Sequence, residues 1–113
     1  MLPVANRLKK KKDLEEVFKK GRTLRDDALA IRFVKNKLKT SRFTFSAGLK
    51  FSRKAFLRNR AKRRLRGIIR DVLPGVKTGF DAVFIAGRGL EAKKSRELKE
   101  IVSELLKRAK LLQ

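Results

Sequence analysis

Apolar and polar positions alternate from Arg42 to Ser52. Phe43, Phe45, Ala47, Leu49 and Phe51 are apolar, whereas Arg42, Thr44, Ser46, Gly48, Lys50 and Ser52 are mostly polar. Strand side chains point to opposite faces in turn, so the pattern predicts a strand over 42–52 with one buried face and one wet, partly basic face. The same period recurs over 28–34. Leu29, Ile31 and Phe33 share one side there, and Ala28, Ala30 and Arg32 the other. Arg22 to Arg25 reads as a short strand, and Lys35-Asn36-Lys37 as a turn. Phe80 to Ala86 is apolar on both faces, as an interior strand is, and Gly87-Arg88-Gly89 breaks it.

Three other stretches repeat at helical spacing. Asp13 offers an N-cap, with Glu16 placed three residues on as in a capping box. Leu14, Val17 and Phe18 share a face, and Gly21 stops the turn, which predicts a helix over 13–20. Over 54–73, Leu57, Ala61, Leu65, Ile68 and Val72 line one side, and Pro74-Gly75 ends it. Ser95 to Leu112 presents Leu98, Ile101, Val102, Leu105, Leu106 and Ala109 to a core. The expected fold is α+β: a single α/β sandwich of order αβββαβα, its helices packed on a mixed four-stranded sheet. Residues 1–12 are expected to form a flexible basic arm, and residues 13–113 a single domain.

Composition narrows the chemistry. The 113 residues suit one domain, and 42% hydrophobic content with eight Phe is enough for one modest core. Lys and Arg number 33 against 11 Asp and Glu, a net charge of +22 that repels itself unless a polyanion neutralises it. Cys and His are absent, which excludes disulfides, the usual zinc sites, and Cys or His catalysis. Without Tyr or Trp, base stacking falls to Phe or to Arg planes. The apolar start of the chain is broken at once by Arg7 and Lys9 to Lys12, so neither a signal nor a span is expected, and the protein is expected in the cytoplasm.

The densest signal is Arg58-Asn59-Arg60-Ala61-Lys62-Arg63-Arg64-Leu65-Arg66, in which seven of nine residues are basic or amide. Arg58, Lys62, Arg66 and Arg70 repeat at spacing four, and Asn59 and Arg63 form a second row. Like charges at that spacing destabilise a helix by a few tenths of a kcal/mol per pair. A phosphate backbone offsets that liability and releases counterions. A charge run usually marks a solvated face; this density within a +22 chain favours nucleic acid. The polar face of the 42–52 strand adds a second surface, and a basic helix beside it makes a groove suited to a single strand. Arg32 and Lys50 are candidates to share that groove. Phe18 is a candidate to stack a base at its wall, or equally a core residue beside Leu14 and Val17. Adjacent carboxylates such as Asp26-Asp27 and Glu15-Glu16 do not aim at one point, so no acid/base or two-metal site is expected. No catalytic set, protein-held metal or small-molecule substrate is expected.

At Arg58-Asn59-Arg60-Ala61-Lys62-Arg63, with Arg66 three residues on, the chain resembles the protein subunit of bacterial ribonuclease P. Asn6-Arg7-Leu8-Lys9-Lys10, Val17-Phe18-Lys19, Gly21, Gly48-Leu49 and Gly79-Phe80-Asp81 extend the likeness over nearly the whole chain. The resemblance implies an RNA-binding subunit that assists a catalytic RNA in cutting the 5′ leader from precursor tRNA, with Mg²⁺ held mainly by the RNA and substrate. It implies RNA contacts for Arg58, Asn59, Arg60, Lys62, Arg63 and Arg66. It implies a leader-binding cleft at Phe18, Arg32, Lys50 and Ser52, with Arg53 and Lys54 supplying charge where the chain's link from Phe51 to Ala55 is short. It also implies a left-handed β-α-β crossover, against the usual rule. The chain departs from the family at Leu14 and Arg32, where relatives often carry aromatics. A small ribosomal or general RNA-binding structural protein explains the charge and fold equally well, though not the ordered matches. A DNA-binding module is a third reading, less suited to a polar cleft.

Overall fold

The computed structural model describes residues 2–26 and 28–112; Asp27 of the Asp26-Asp27 pair lies outside them. The elements follow the expected order. Helix α1 spans Lys11–Lys20, strands β1, β2 and β3 span Arg22–Arg25, Leu29–Lys35 and Arg42–Ser46, helix α2 spans Ala55–Val72, strand β4 spans Phe80–Ala86 and helix α3 spans Ser95–Arg108. The sheet runs β1-β2-β4-β3. β1 pairs antiparallel with β2 and β2 with β4, whereas β3 and β4 are parallel and α2 crosses between them. β4 is therefore interior, which is why all of it but Asp81 is apolar.

The two sheet faces carry different layers. Ile31, Phe33, Phe43, Phe45, Ala82 and Phe84 pack against Ala61, Leu65 and Ile69 of α2 and Leu98, Val102 and Leu105 of α3. On the opposite face Val83 meets Val17 of α1 and Leu8, with Leu14, Val34 and Ile85 around them. The helices thus cover both faces, α1 alone on one. Phe84 lies between the rings of Phe43 and Phe45, with centroids 6.3 and 6.1 Å away.

Four expectations change. The N-terminal segment is not a free arm: Leu2 and Leu8 are buried, and Leu8 N–H donates to Phe43 O at 2.9 Å. Burying two leucines fixes a chain that its charge alone would leave loose. α1 begins at Lys11 rather than after Asp13, with Lys10 at the N-cap position and no side-chain cap. Asp13 instead binds Arg42, whose Nη1 donates to its Oδ2 at 3.1 Å. β3 stops at Ser46, because the chain turns at Gly48, whose carbonyl accepts from Phe51 N–H at 3.1 Å. Phe51 returns to the core through that turn, but Leu49 is 72% exposed. α3 ends at Arg108, and Lys110 takes a positive φ of 62°, which turns Leu111 into the core.

Gly21 ends α1 for a steric reason. Its backbone is extended, and a Cβ there would overlap the Val17 carbonyl oxygen and press on Phe33 O. The other end of α1 is clamped by charge. Arg42 donates to buried Asp81 through Nε at 2.8 Å and Nη2 at 2.7 Å, and Asn36 Nδ2 donates to Asp81 Oδ1 at 2.8 Å. The hydrogen bond to Asp81 raises the Arg42 pKa, with burial opposing it and the charges of Asp81 and Asp13 adding to it.

Candidate nucleic-acid interface

The basic run on α2 is divided by helix geometry. Each residue turns about 100° around the axis, so Arg58, Lys62 and Arg66 share one flank, beside the buried Ala61 and Leu65. That flank borders the β3 edge. Arg66 lies 5.9 Å over the Phe45 ring, and Arg58 Nη1 donates to Ser52 O at 3.0 Å. Asn59 and Arg63 are exposed on the outward side, with Arg70. Arg60 lies roughly 160° around from Lys62. It borders Arg64, Leu90 and Glu91 instead. Arg64, not in the predicted site, is structural: its Nη1 donates to Leu90 O at 3.3 Å and its Nη2 to Lys93 O. Burial, and then the charge of Arg60, lower its pKa. The predicted RNA-binding residues therefore form two surfaces of one helix. α2 also starts with no side-chain cap and no acidic residue in its first turn, so the positive end of its dipole adds to these cations.

The second surface follows from strand register. Arg25 pairs with Ala30, Ala30 with Ile85, and Ile85 with Ser46, so these four point to the same face in one row. α1 packs on the neighbouring row of Thr23, Arg32, Val83 and Thr44 through Val83 and Arg32, and this row lies beyond it, with Ala30 buried and Ile85 half-buried. The result is a trough of about 780 Å³ with Ala30 and Ile85 on its floor and Arg25, Lys50 and Arg88 at its rim. A second hollow beside it is lined by Leu49, Lys50, Arg53 and Arg88. The loop carrying Lys50 and Arg53 continues through Ser52, which Arg58 holds, so trough and α2 flank meet at that loop.

The expected cleft residues are distributed unequally. Lys50 and Arg53 come together at the trough mouth. Ser52 shapes the entry to α2, its Oγ accepting from Lys54 N–H at 3.1 Å, and Lys54 is exposed at the N-cap. Phe18 is 50% exposed on the last turn of α1, so it is not the core residue the alternative reading allowed, and it does not line the trough. Arg32 is tied into the fold by three hydrogen bonds. Its Nε donates to Val17 O at 3.1 Å, its Nη1 to Thr23 Oγ1 at 2.6 Å and its Nη2 to Phe18 O at 2.6 Å.

Arg25 and Arg88 line the trough without having been predicted. Arg25 enters through cross-strand register, which the sequence does not display. Arg88 carried a readable signal, a lone cation between two glycines directly after an interior strand. Among the described residues, no three His, Cys, Asp or Glu side chains group as a metal ligand set. Among them too, no helix is long and apolar enough to cross a membrane.

Comparison with known proteins adds independent findings. The family model described as Ribonuclease P matches residues 2–110. The chain is similar to the ribonuclease P protein component of Symbiobacterium thermophilum, with 39% identity over 110 residues, 96% of this chain and 95% of that one. It is also similar to that of Pelotomaculum thermopropionicum, with 34% identity and 97% of each chain covered. Among solved structures, the RNase P protein of Thermotoga maritima superposes with a TM-score of 0.82 at 33% identity, covering 90% of this chain and 96% of that one. A mutant RNase P protein of Staphylococcus aureus superposes with a TM-score of 0.87 at 25% identity, covering 96% and 91%.

Proposed function

The chain belongs to the ribonuclease P protein family, and from this premise we propose how it acts: as the RNA-binding subunit that assists a catalytic RNA in endonucleolytic removal of the 5′ leader from precursor tRNA. The RNA subunit and precursor tRNA are its partners. In this reading the RNA supplies the cleavage chemistry, and Mg²⁺ is held by RNA and substrate rather than by this chain. The buried Asp81 is committed to Arg42 and Asn36, and Asp13 to Arg42.

The chain's own residues bind and orient. Arg58, Lys62 and Arg66 present guanidinium and ammonium groups to phosphates along one flank. The trough receives the leader as a single strand. The observation that carries this is the trough along the row Arg25–Ala30–Ile85–Ser46, an apolar floor between cations that joins the α2 flank. Apolar surface for bases beside cations for the backbone is the usual arrangement for single strands.

The test is cleavage of precursor tRNA. The protein alone leaves the substrate intact, and adding the partner RNA and Mg²⁺ at low salt gives 5′ processing that the protein stimulates. Cleavage by RNA-free protein at a comparable rate overturns this division of labour. A merely structural RNA-binding protein gives no stimulation.

A further inference from the structure

Most of the eight phenylalanines are buried or partly buried in the core; the exceptions are Phe18 and Phe56. Phe56 is 64% exposed in the first turn of α2. It stacks on no other ring and takes no cation among the described residues. Its place on the helix is the outward side. With about 100° per residue, Phe56 falls between Arg60, one turn on, and Arg63, two turns on, with Asn59 beside them. Arg60, Arg63 and Asn59 are all exposed.

An aromatic ring set among free cations and an amide suits an unstacked nucleobase, whose phosphates the cations reach. The occupant is also constrained by layers. The trough opens on the α1 face of the sheet, whereas α2 packs on the other. A leader lying in the trough leaves the outward side of α2 free for the other RNA. We propose that Phe56 is a stacking platform for an unpaired base of the partner RNA subunit, framed by Asn59, Arg60 and Arg63. This rests on the proposed function and extends it to a residue outside the basic motif.

The test uses Phe56→Ala and Phe56→Trp in the full chain, with the ribonuclease P RNA subunit as probe. Phe56→Ala should keep its melting temperature and weaken RNA binding about tenfold. Its salt dependence should match wild type, since no phosphate contact is lost. Arg60→Ala should lower the salt slope by about one. Phe56→Trp should restore affinity, with indole emission quenched on RNA addition. Binding of Phe56→Ala within twofold of wild type, or Phe56→Trp emission that ignores RNA, overturns the proposal. Quenching that follows protein concentration and self-association in sedimentation, without RNA, assigns the ring to a second copy of the chain and also overturns it. Wild type that binds neither the RNA subunit nor precursor tRNA would instead remove the functional reading beneath it.

Discussion

Arg32 and Lys50 are both cationic side chains near the sheet, and they make different contacts. The Arg32 guanidinium ties the last turn of α1 to β1 and β2 through three hydrogen bonds, whereas Lys50 stands exposed at the trough mouth. Arg32→Ala should therefore cost about 1–3 kcal/mol in urea unfolding, the range for partly buried bonds left unmade. The salt slope of its RNA binding should stay that of wild type. Lys50→Ala should do the reverse, leaving unfolding unchanged and reducing the slope by about one. A reduced slope in Arg32→Ala would return that residue to the RNA interface. The Arg42 clamp gives a prediction with a sign. Its folded pKa is raised, so its contribution is fully present below the unfolded arginine range and is lost only as pH rises through the folded value. Asp81→Ala leaves that guanidinium with Asp13 alone and should cost about 1–3 kcal/mol. The gap from wild type should stay constant from pH 7 up to the lysine range at about 10.4. A gap that closes within that window would show that another group sets it.

At the scale of elements, α2 was legible because its period persists for five turns without interruption. Its face is tested by Leu65→Ala, which removes a fully buried side chain and should cost about 2–5 kcal/mol by thermal unfolding. Near-native stability would mean the helix is rotated. On the adjoining flank, Lys62→Ala should leave stability alone and lower the salt slope of RNA binding by about one. β3 is shorter than its alternating pattern predicts. Phe43, Phe45, Ala47 and Phe51 are all buried as alternation predicts, yet the last is delivered by a turn. A period-two pattern records which side chains go inward and not whether the backbone between them stays straight. The N-terminal segment shows the converse. Leu2 and Leu8 have no period, so local patterning could not reveal that both are buried, nor that Leu8 sits on the sheet face opposite α2. For the same reason the trough was only half visible. Lys50 could be read from the alternating pattern, but the row linking Arg25 to Ser46 exists only through pairings between distant segments.

For the whole molecule, the deciding quantity is a charge of +22 on 113 residues. Among the described residues, the ion pairs formed by Glu16, Asp71, Asp13 and Asp81 offset little of it. Glu16–Lys20 and Arg70–Asp71 lie at the surface, where a pair contributes roughly 0–1 kcal/mol, and Asp13 and Asp81 converge on Arg42 alone. Most of the cations therefore repel one another across a body with a Cα radius of gyration of 13.0 Å, little more than the Debye length of about 10 Å at 0.1 M salt. Self-repulsion disfavours the compact state, and screening relieves it. The same screening removes the gain from counterion release on binding a polyanion. Salt should consequently act in opposite directions on the two equilibria. Between about 20 and 200 mM monovalent salt, the melting temperature of the free protein should rise while its affinity for RNA falls steeply. Scanning calorimetry and filter binding on one preparation measure both. A melting temperature that falls with salt would mean favourable surface pairs outweigh repulsion in the free fold. The cations would then be arranged for one another, and the case that they await a ribose-phosphate chain would lose its energetic basis.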